Sequence, residues 1–280
     1  MRLSVRHRTV YAFDAPMRWI VQSHRLTPSA CASQRTLAWT VAADGGEIGA
    51  AFVDGAGDAV STLTIVGPVE RVEVLVEGEV ETADTSGILR DHREIISPRA
   101  YLVATAATHP NRALAELADA AVKGASDADE LARAHRLAAA VADAIAYAPG
   151  ATDAHTTAAE ALEQGKGVCQ DHAHALIALA HRCGLPARYV SGYLYAGEED
   201  AAAEASHAWA EIFVSRLGWI GFDAANRCCP DERYIRLGSG RDAREAAPIR
   251  GVSRGGGTEV LDVDVSVAQA PARSQSQTQQ

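Results

Sequence analysis

The sequence predicts an α+β chain. An N-terminal antiparallel β-sandwich-like region over residues 1–85 is followed by an α+β domain over 86–267, in which Cys169 opens a helix packed on an antiparallel sheet, and by a disordered tail over 268–280. Three observations predict this. Residues 1 to about 82 read as β, with apolar and polar residues alternating at Leu3 to Arg8 and at Arg71 to Glu77. Ala- and Leu-rich segments with helical spacing occupy the middle of the chain. Short aromatic and β-branched runs then return from Ala187 onward.

The elements follow in order. Leu3, Val5 and His7 alternate with Ser4, Arg6 and Arg8, a first strand. Leu37 to Val41 and Leu63 to Val66 read as further short strands. Val72, Val74 and Val76, set against Arg71, Glu73, Leu75 and Glu77, read as a half-buried strand with one wet face. Turn signals separate them at Ala43-Asp44-Gly45-Gly46, Asp54-Gly55-Ala56-Gly57 and Gly67-Pro68. From near Ser86 the character changes, and Pro110 to Ala121 and Asp127 to Ala146 carry helical spacing. Ser126 with Asp129, and Thr157 with Glu160, have the spacing of helix N-caps with acidic partners. Thr157 to Gln164 is a short helix broken at Gly165-Lys166-Gly167. A longer one runs from about Cys169 to Cys183 and stops at Gly184, with Pro186 beyond. Strands are expected at Ala187 to Tyr195, at Ala208 to Val214 and Trp219 to Phe222 around a Ser215–Gly218 turn, and at Glu259 to Val267.

Composition narrows the function. Apolar residues make up 48% of the chain, enough for a packed core, and the net charge of −10 argues against a nucleic-acid backbone or anionic membrane as partner. No stretch approaches the roughly 18 apolar residues of a membrane span, and Met1 to Arg8 reads as a strand and not a secretory signal. The five cysteines, Cys31, Cys169, Cys183, Cys228 and Cys229, are odd in number and scattered, which fits a reducing cytoplasm better than a disulfide framework.

Three residues carry the chemistry. Cys169 follows a Gly-x-Gly turn and begins a helix, where partial positive charge and unpaired N–H groups favour a thiolate. The glycines at 165 and 167 allow a sharp turn and leave room above the sulfur, and the Cys169 N–H points where an oxyanion would form. His207 and Asp223 lie on two strands joined by a tight turn, near the open ends of that hairpin. A thiol, an imidazole and a carboxylate in this order suit a nucleophile, its base and the group that orients the base. Each taken singly also reads as an ordinary buried residue; the three together do not.

Other constellations are weaker. His172 and His174, with His181 and Cys183, suggest a metal, but residues 172 and 174 face different sides of a helix. Cys228-Cys229 lacks any C-x-x-C partner and reads as two partly buried thiols. Trp209, Phe213, Trp219 and Phe222 read as core, with Trp209 on the same strand face as His207. Gly255-Gly256-Gly257 is a turn, since no Lys-Ser/Thr follows.

The blocks Gly167-Val168-Cys169-Gln170-Asp171-His172-Ala173-His174, Gly184-Leu185-Pro186-Ala187-Arg188-Tyr189-Val190-Ser191-Gly192-Tyr193-Leu194, Ser206-His207-Ala208-Trp209-Ala210-Glu211 and Gly218-Trp219-Ile220-Gly221-Phe222-Asp223-Ala224-Ala225-Asn226 resemble the transglutaminase-like superfamily, papain-type in fold. His7, Tyr11, Pro16 and Ser23-His24-Arg25-Leu26-Thr27-Pro28 resemble the β region that precedes this domain in bacterial members. The resemblance implies a catalytic triad of Cys169, His207 and Asp223, with no metal and no organic cofactor. It implies a cysteine-dependent acyl transfer on peptide or isopeptide bonds through a thioester, with hydrolysis ahead of cross-linking to an amine. The substrate would be a peptide or protein, with no nucleic-acid or membrane partner. One departure stands out: Asp223-Ala224-Ala225-Asn226 replaces the family's usual Asp-Pro-Thr-Asn. No Asp/Asn/Gly calcium loop accompanies the triad. Two readings of other kinds compete: a binding module that keeps the fold without turnover, and a metal-dependent hydrolase.

Overall fold

The computed structural model describes residues 1–197 and 205–270. Two long strands, β1 (Arg2–His24) and β4 (Ala59–Thr82), pair antiparallel and form the spine of a six-stranded sheet. The outer side of β4 carries β2 (Gln34–Ala43) and β3 (Glu47–Val53). Leu26, Leu63, Ile65, Val72, Val74 and Val76 close the apolar core of this sheet, as the alternation of the three valines predicts for them. Gly67-Pro68 was expected to end a strand, yet β4 runs through it. The β1–β4 register shifts between Ala12 and Trp19, and Pro68 falls in that gap, where no ladder partner asks for its missing N–H.

Four helices follow: α1 (Arg112–Ala121), α2 (Glu130–Ala144), α3 (Ala158–Gln164) and α4 (Cys169–Arg182). Thr157 and Glu160 close a reciprocal capping box on α3. On α2 the expected cap moves. Asp129 accepts from the Ala132 N–H at the helix start, while Ser126 accepts from Ala128 one turn earlier. Asp129 is the residue next to the first helical position, so its shorter reach wins. A two-residue parallel bridge joins β5 (Ala146–Tyr147) to β6 (Lys166–Gly167) beside the start of α4.

Residues 171–180 of α4 are all buried. A helix that is covered all round must lie at the centre of a domain. It packs on α1, α2 and α3 on one side and on the second sheet on the other. Leu176, Ile177 and Leu179 are fully buried, each contributing about 1.5–3 kcal/mol. The second sheet is antiparallel, ordered β10-β7-β8-β9, with β7 Ala187–Leu194, β8 Ser206–Val214, β9 Gly218–Phe222 and β10 Tyr234–Gly240. Strands β3 and β10 and the next strand, β11 (Ile249–Gly255), carry no strict alternation and were not expected. All of β10 is buried and all of β3 is exposed, so neither shows a two-residue period.

The chain then returns to the first sheet. Strand β11 and strand β12 (Glu259–Gln269) pair end to end along β1. The expected last strand therefore exists and is longer by two residues. Ala268 and Gln269, assigned above to the tail, pair with Ser4 and Leu3. From 271 on, the expected disordered tail lies outside the described residues.

A chain of buried charges locks the two sheets together. Arg188 on β7 donates through Nε to Glu211 on β8 (2.7 Å) and through Nη1 to Glu94 (2.9 Å). Its guanidinium lies over the Trp219 ring, 4.1 Å from the centroid. Arg236 on β10 donates to the other Glu211 oxygen (2.9 Å) and to Asp58, in the loop between β3 and β4 of the first sheet (2.6 Å). Asp58 also accepts from Ser29 and from the Ser239 backbone and hydroxyl. Burial alone would raise the Glu211 carboxyl; the Arg236 and Arg188 cations outweigh it and hold it at about 2. Asp58 is likewise held below the usual range by Arg236, against its own burial. Removing one partner from such a set strands a buried charge. We expect Asp58→Ala to cost about 3–5 kcal/mol in urea denaturation, while Glu70→Ala, at an exposed position midway along β4, stays within about 0.5 kcal/mol.

Candidate active site

Cys169 is the first residue of α4, so its N–H has no helical acceptor behind it. The turn before it is built tightly. Gly165 adopts φ +63° and caps α3, a left-handed conformation that favours glycine. Gly167 serves differently from expectation. A Cβ there would lie 2.7 Å from the Asp171 side chain, so the space belongs to Asp171 and not to a substrate. Asp171 is 1% exposed, and its Oδ2 accepts from the Val168 N–H (2.8 Å) and the Thr152 hydroxyl (2.6 Å). A carboxylate in the first turn of a helix is favoured by the dipole and fixes the entry of the chain. Nothing in the sequence marked Asp171 for this role except its place two residues past the cysteine.

The structure brings Cys169, His207 and Asp223 together. His207, near the start of β8, directs Nε2 at Asp223 Oδ2 across 2.6 Å. Its stacking partner is Trp209, two residues on, with ring centroids 6.4 Å apart and planes at 27°. This is the shared strand face that the alternation predicts. Gly192, paired with His207 across β7–β8, leaves space for the Trp209 ring, which a Cβ would meet at 2.7 Å.

Asp223 is 1% exposed and follows β9 directly. Four donors hold it. Oδ2 accepts from His207, from Asn226 Nδ2 (2.8 Å) and from the Tyr234 hydroxyl (2.8 Å), and Oδ1 accepts from the Asn226 N–H (3.0 Å). Asn226 is thus the residue that the altered Asp-Ala-Ala-Asn segment keeps in place. Tyr234 was missed because it lies on the unpredicted strand β10.

Electrostatics follow from these contacts. Burial of His207 disfavours its cation, but the hydrogen bonds the ring makes to Asp223 and Cys169, and their charges, win and push it up to about 9. The ring is therefore an imidazolium at neutral pH. Burial would raise the Asp223 carboxyl, yet the His207 and Asn226 donors hold it below the usual range. Tyr189, on β7, is buried beside the same thiol and stays protonated, because burial pushes its phenol far up.

The remaining candidates fall elsewhere. His172 lies between the Val168 and Ile145 carbonyls, at 2.8 and 2.9 Å. His174 accepts the Ala243 N–H through Nε2 at 3.0 Å, and burial takes it down to about 4, so it is neutral. His181 faces the Tyr101 carbonyl, and Cys183 caps α4. Among the described residues no three His, Cys, Asp or Glu side chains converge as a metal site. Cys228 and Cys229 are unpaired; Cys228 lies 3.3 Å from the Tyr234 hydroxyl. Trp219 and Phe222 are buried core residues, whereas Phe213 is only half-buried, its ring edge-on to Trp219 at 5.5 Å.

Two family models cover most of the chain. The transglutaminase-like superfamily matches residues 115–224, and the bacterial transglutaminase-like N-terminal region matches residues 3–81. An uncharacterized protein of Mycobacterium leprae is 28% identical over 284 residues, covering 95% of this chain and 98% of its own length. An uncharacterized protein of Mycobacterium tuberculosis is 37% identical over 131 residues, 43% of this chain and 42% of that protein. A candidate cysteine protease of Cytophaga hutchinsonii has the same fold, with a TM-score of 0.73 at 20% identity over 97% of this chain and 91% of that one.

The raised His207 has a consequence for stability. Between the ordinary histidine value of 6.5 and about 9, the folded state holds a proton that the unfolded state has lost. The stabilisation is complete below pH 6.5 and disappears as pH rises through about 9. Urea midpoints measured across this window should fall for the wild type and fall distinctly less for His207→Gln.

Proposed function

The chain belongs to the transglutaminase-like superfamily, and from that premise we propose that it is a cysteine-dependent acyl-transfer enzyme that hydrolyses peptide or isopeptide bonds. One observation carries the reading: the His207 ring is hydrogen-bonded to Asp223 and also interacts with the Cys169 thiol, which lies at a helix start.

In this reading Cys169 Sγ attacks the amide carbonyl as a thiolate, with the His207 imidazolium as its counter-ion. The carbonyl oxygen takes up the charge and is met by the Cys169 N–H. The C–N bond breaks as His207 passes its proton to the departing amine, leaving a thioester and a neutral imidazole. The imidazole then takes a proton from water, the hydroxide adds to the thioester, and the thiolate leaves. Asp223 keeps the ring in its tautomer and stabilises the imidazolium at both ends of the cycle. An amine in place of water would give cross-linking by the same steps. His207 is 8% exposed and Asp223 1%, so the charge separation occurs where water screens it little.

We also place the protein in the cytoplasm, on the strength of five unpaired thiols. Among the described residues no helix is long and apolar enough to cross a membrane.

The test needs no substrate. Iodoacetamide should label Cys169 at pH 6 at least about tenfold faster than an ordinary thiol of pKa near 8.5, with mass spectrometry reading the site. His207→Ala should abolish that advantage. Labelling of Cys169 that rises only above pH 8, whether or not His207 is present, would refute the proposal and favour a binding module. Once labelling is established, peptide libraries with and without added amines distinguish hydrolysis from cross-linking.

A further inference from the structure

Asp223 has more donors than orientation of one imidazole requires, and the extra one is placed with care. Tyr234 is 5% exposed. Its hydroxyl lies 2.8 Å from Asp223 Oδ2, the same oxygen that His207 occupies at 2.6 Å. Its ring stands edge-on to both aromatic neighbours, 5.9 Å from His207 and 5.5 Å from Trp209. The phenol proton is committed to Asp223, so the Cys228 thiol, 3.3 Å from the phenol oxygen, must be the donor there. Burial keeps that thiol protonated and able to donate.

The phenol is also tied to the first sheet. Tyr234 opposes Leu194 in the β10–β7 ladder. Two residues along β10, Arg236 joins Glu211 to Asp58, and Gln34 accepts the Arg236 N–H. The Thr82 hydroxyl donates to the Glu232 carbonyl just before the strand. β10 therefore cannot slide without breaking buried bonds to the N-terminal region.

We propose that Tyr234 is a positioning residue of the active site: its hydroxyl fixes the rotation of Asp223 and tempers the pull of that carboxylate on the His207 imidazolium, and the N-terminal sheet sets its place through β10. The inference rests on the acyl-transfer reading above. Its physical content is competition for one oxygen. A neutral donor on Oδ2 withdraws part of the charge that the imidazolium would otherwise have to itself. The titratable and charged groups facing this cluster are Cys169 on α4, Asp223 after β9, Cys228 in the next loop and Tyr234 on β10, with Asp231 and Arg233 around Cys228.

Iodoacetate alkylation of Cys169 against pH reads the effect. The reagent is an anion, so its reaction slows as His207 loses its proton, which gives the rate an alkaline limb. Tyr234→Phe, which deletes one oxygen and keeps the ring, should move that limb upward by about 0.5 pH unit. Cys228→Ala, which removes only the donor behind the phenol, should move it the same way by less, and it serves alone if Tyr234→Phe does not fold. A limb that stays in place or moves down, even with a lowered denaturation midpoint, means that Tyr234 is merely structural and overturns the inference. A wild type with no alkaline limb and no dependence on His207 overturns the acyl-transfer reading instead.

Discussion

Arg236 cannot be solvated where it lies, and much of the architecture follows from the way it is neutralised. Its guanidinium sits between Glu211 of β8 and Asp58 in the loop that leads into β4, and Arg188 extends the same chain to Glu94. Charges taken out of water repay their desolvation only when geometry is good and each partner is present. The set therefore tolerates one relative placement of the two sheets. His207 lies four residues from Glu211 on β8, and Tyr234 two residues from Arg236 on β10. Register errors in either strand would cost both the buried pairs and the site.

The site itself uses ordinary devices in close quarters. A helix start supplies an unpaired N–H, Asp171 closes the turn before it, and Asp223 is saturated with donors. Trp209 fills the space beside His207 because Gly192 leaves it open. Each of these supports a side chain that in turn supports another, so the thiol is surrounded by groups with little freedom to rearrange. Preorganisation of this kind is what electrostatic stabilisation of a developing charge needs.

Much of this was legible from the residues alone. The alternation in β1 and the later part of β4, the capping box at Thr157 and Glu160, and the Gly184 stop of α4 are local rules, and the structure follows them. Cys169, His207 and Asp223 were legible because their types, order and flanking elements are each restrictive. Asp171, Asn226 and Tyr234 were not, since their importance depends on three-dimensional neighbours. The misplaced break at Gly67-Pro68 shows where local rules lose: a bulge lets tertiary pairing carry a strand past a proline. β10 was missed because a strand buried on both faces loses the two-residue period that would reveal it.

The return of the chain to β1 bears on how the molecule is made. Leu3 pairs with Gln269 and Phe13 with Glu259, so this ladder joins residues separated by nearly the whole sequence, and everything from α1 to β10 intervenes. Contacts of such separation close late, because their loop entropy is compensated only when the intervening part has folded. During synthesis the helices and the second sheet would have the chance to condense first, while β1 waits with one edge open. The waiting edge is an aggregation hazard, and rapid completion of translation through residue 269 would be the natural protection against it.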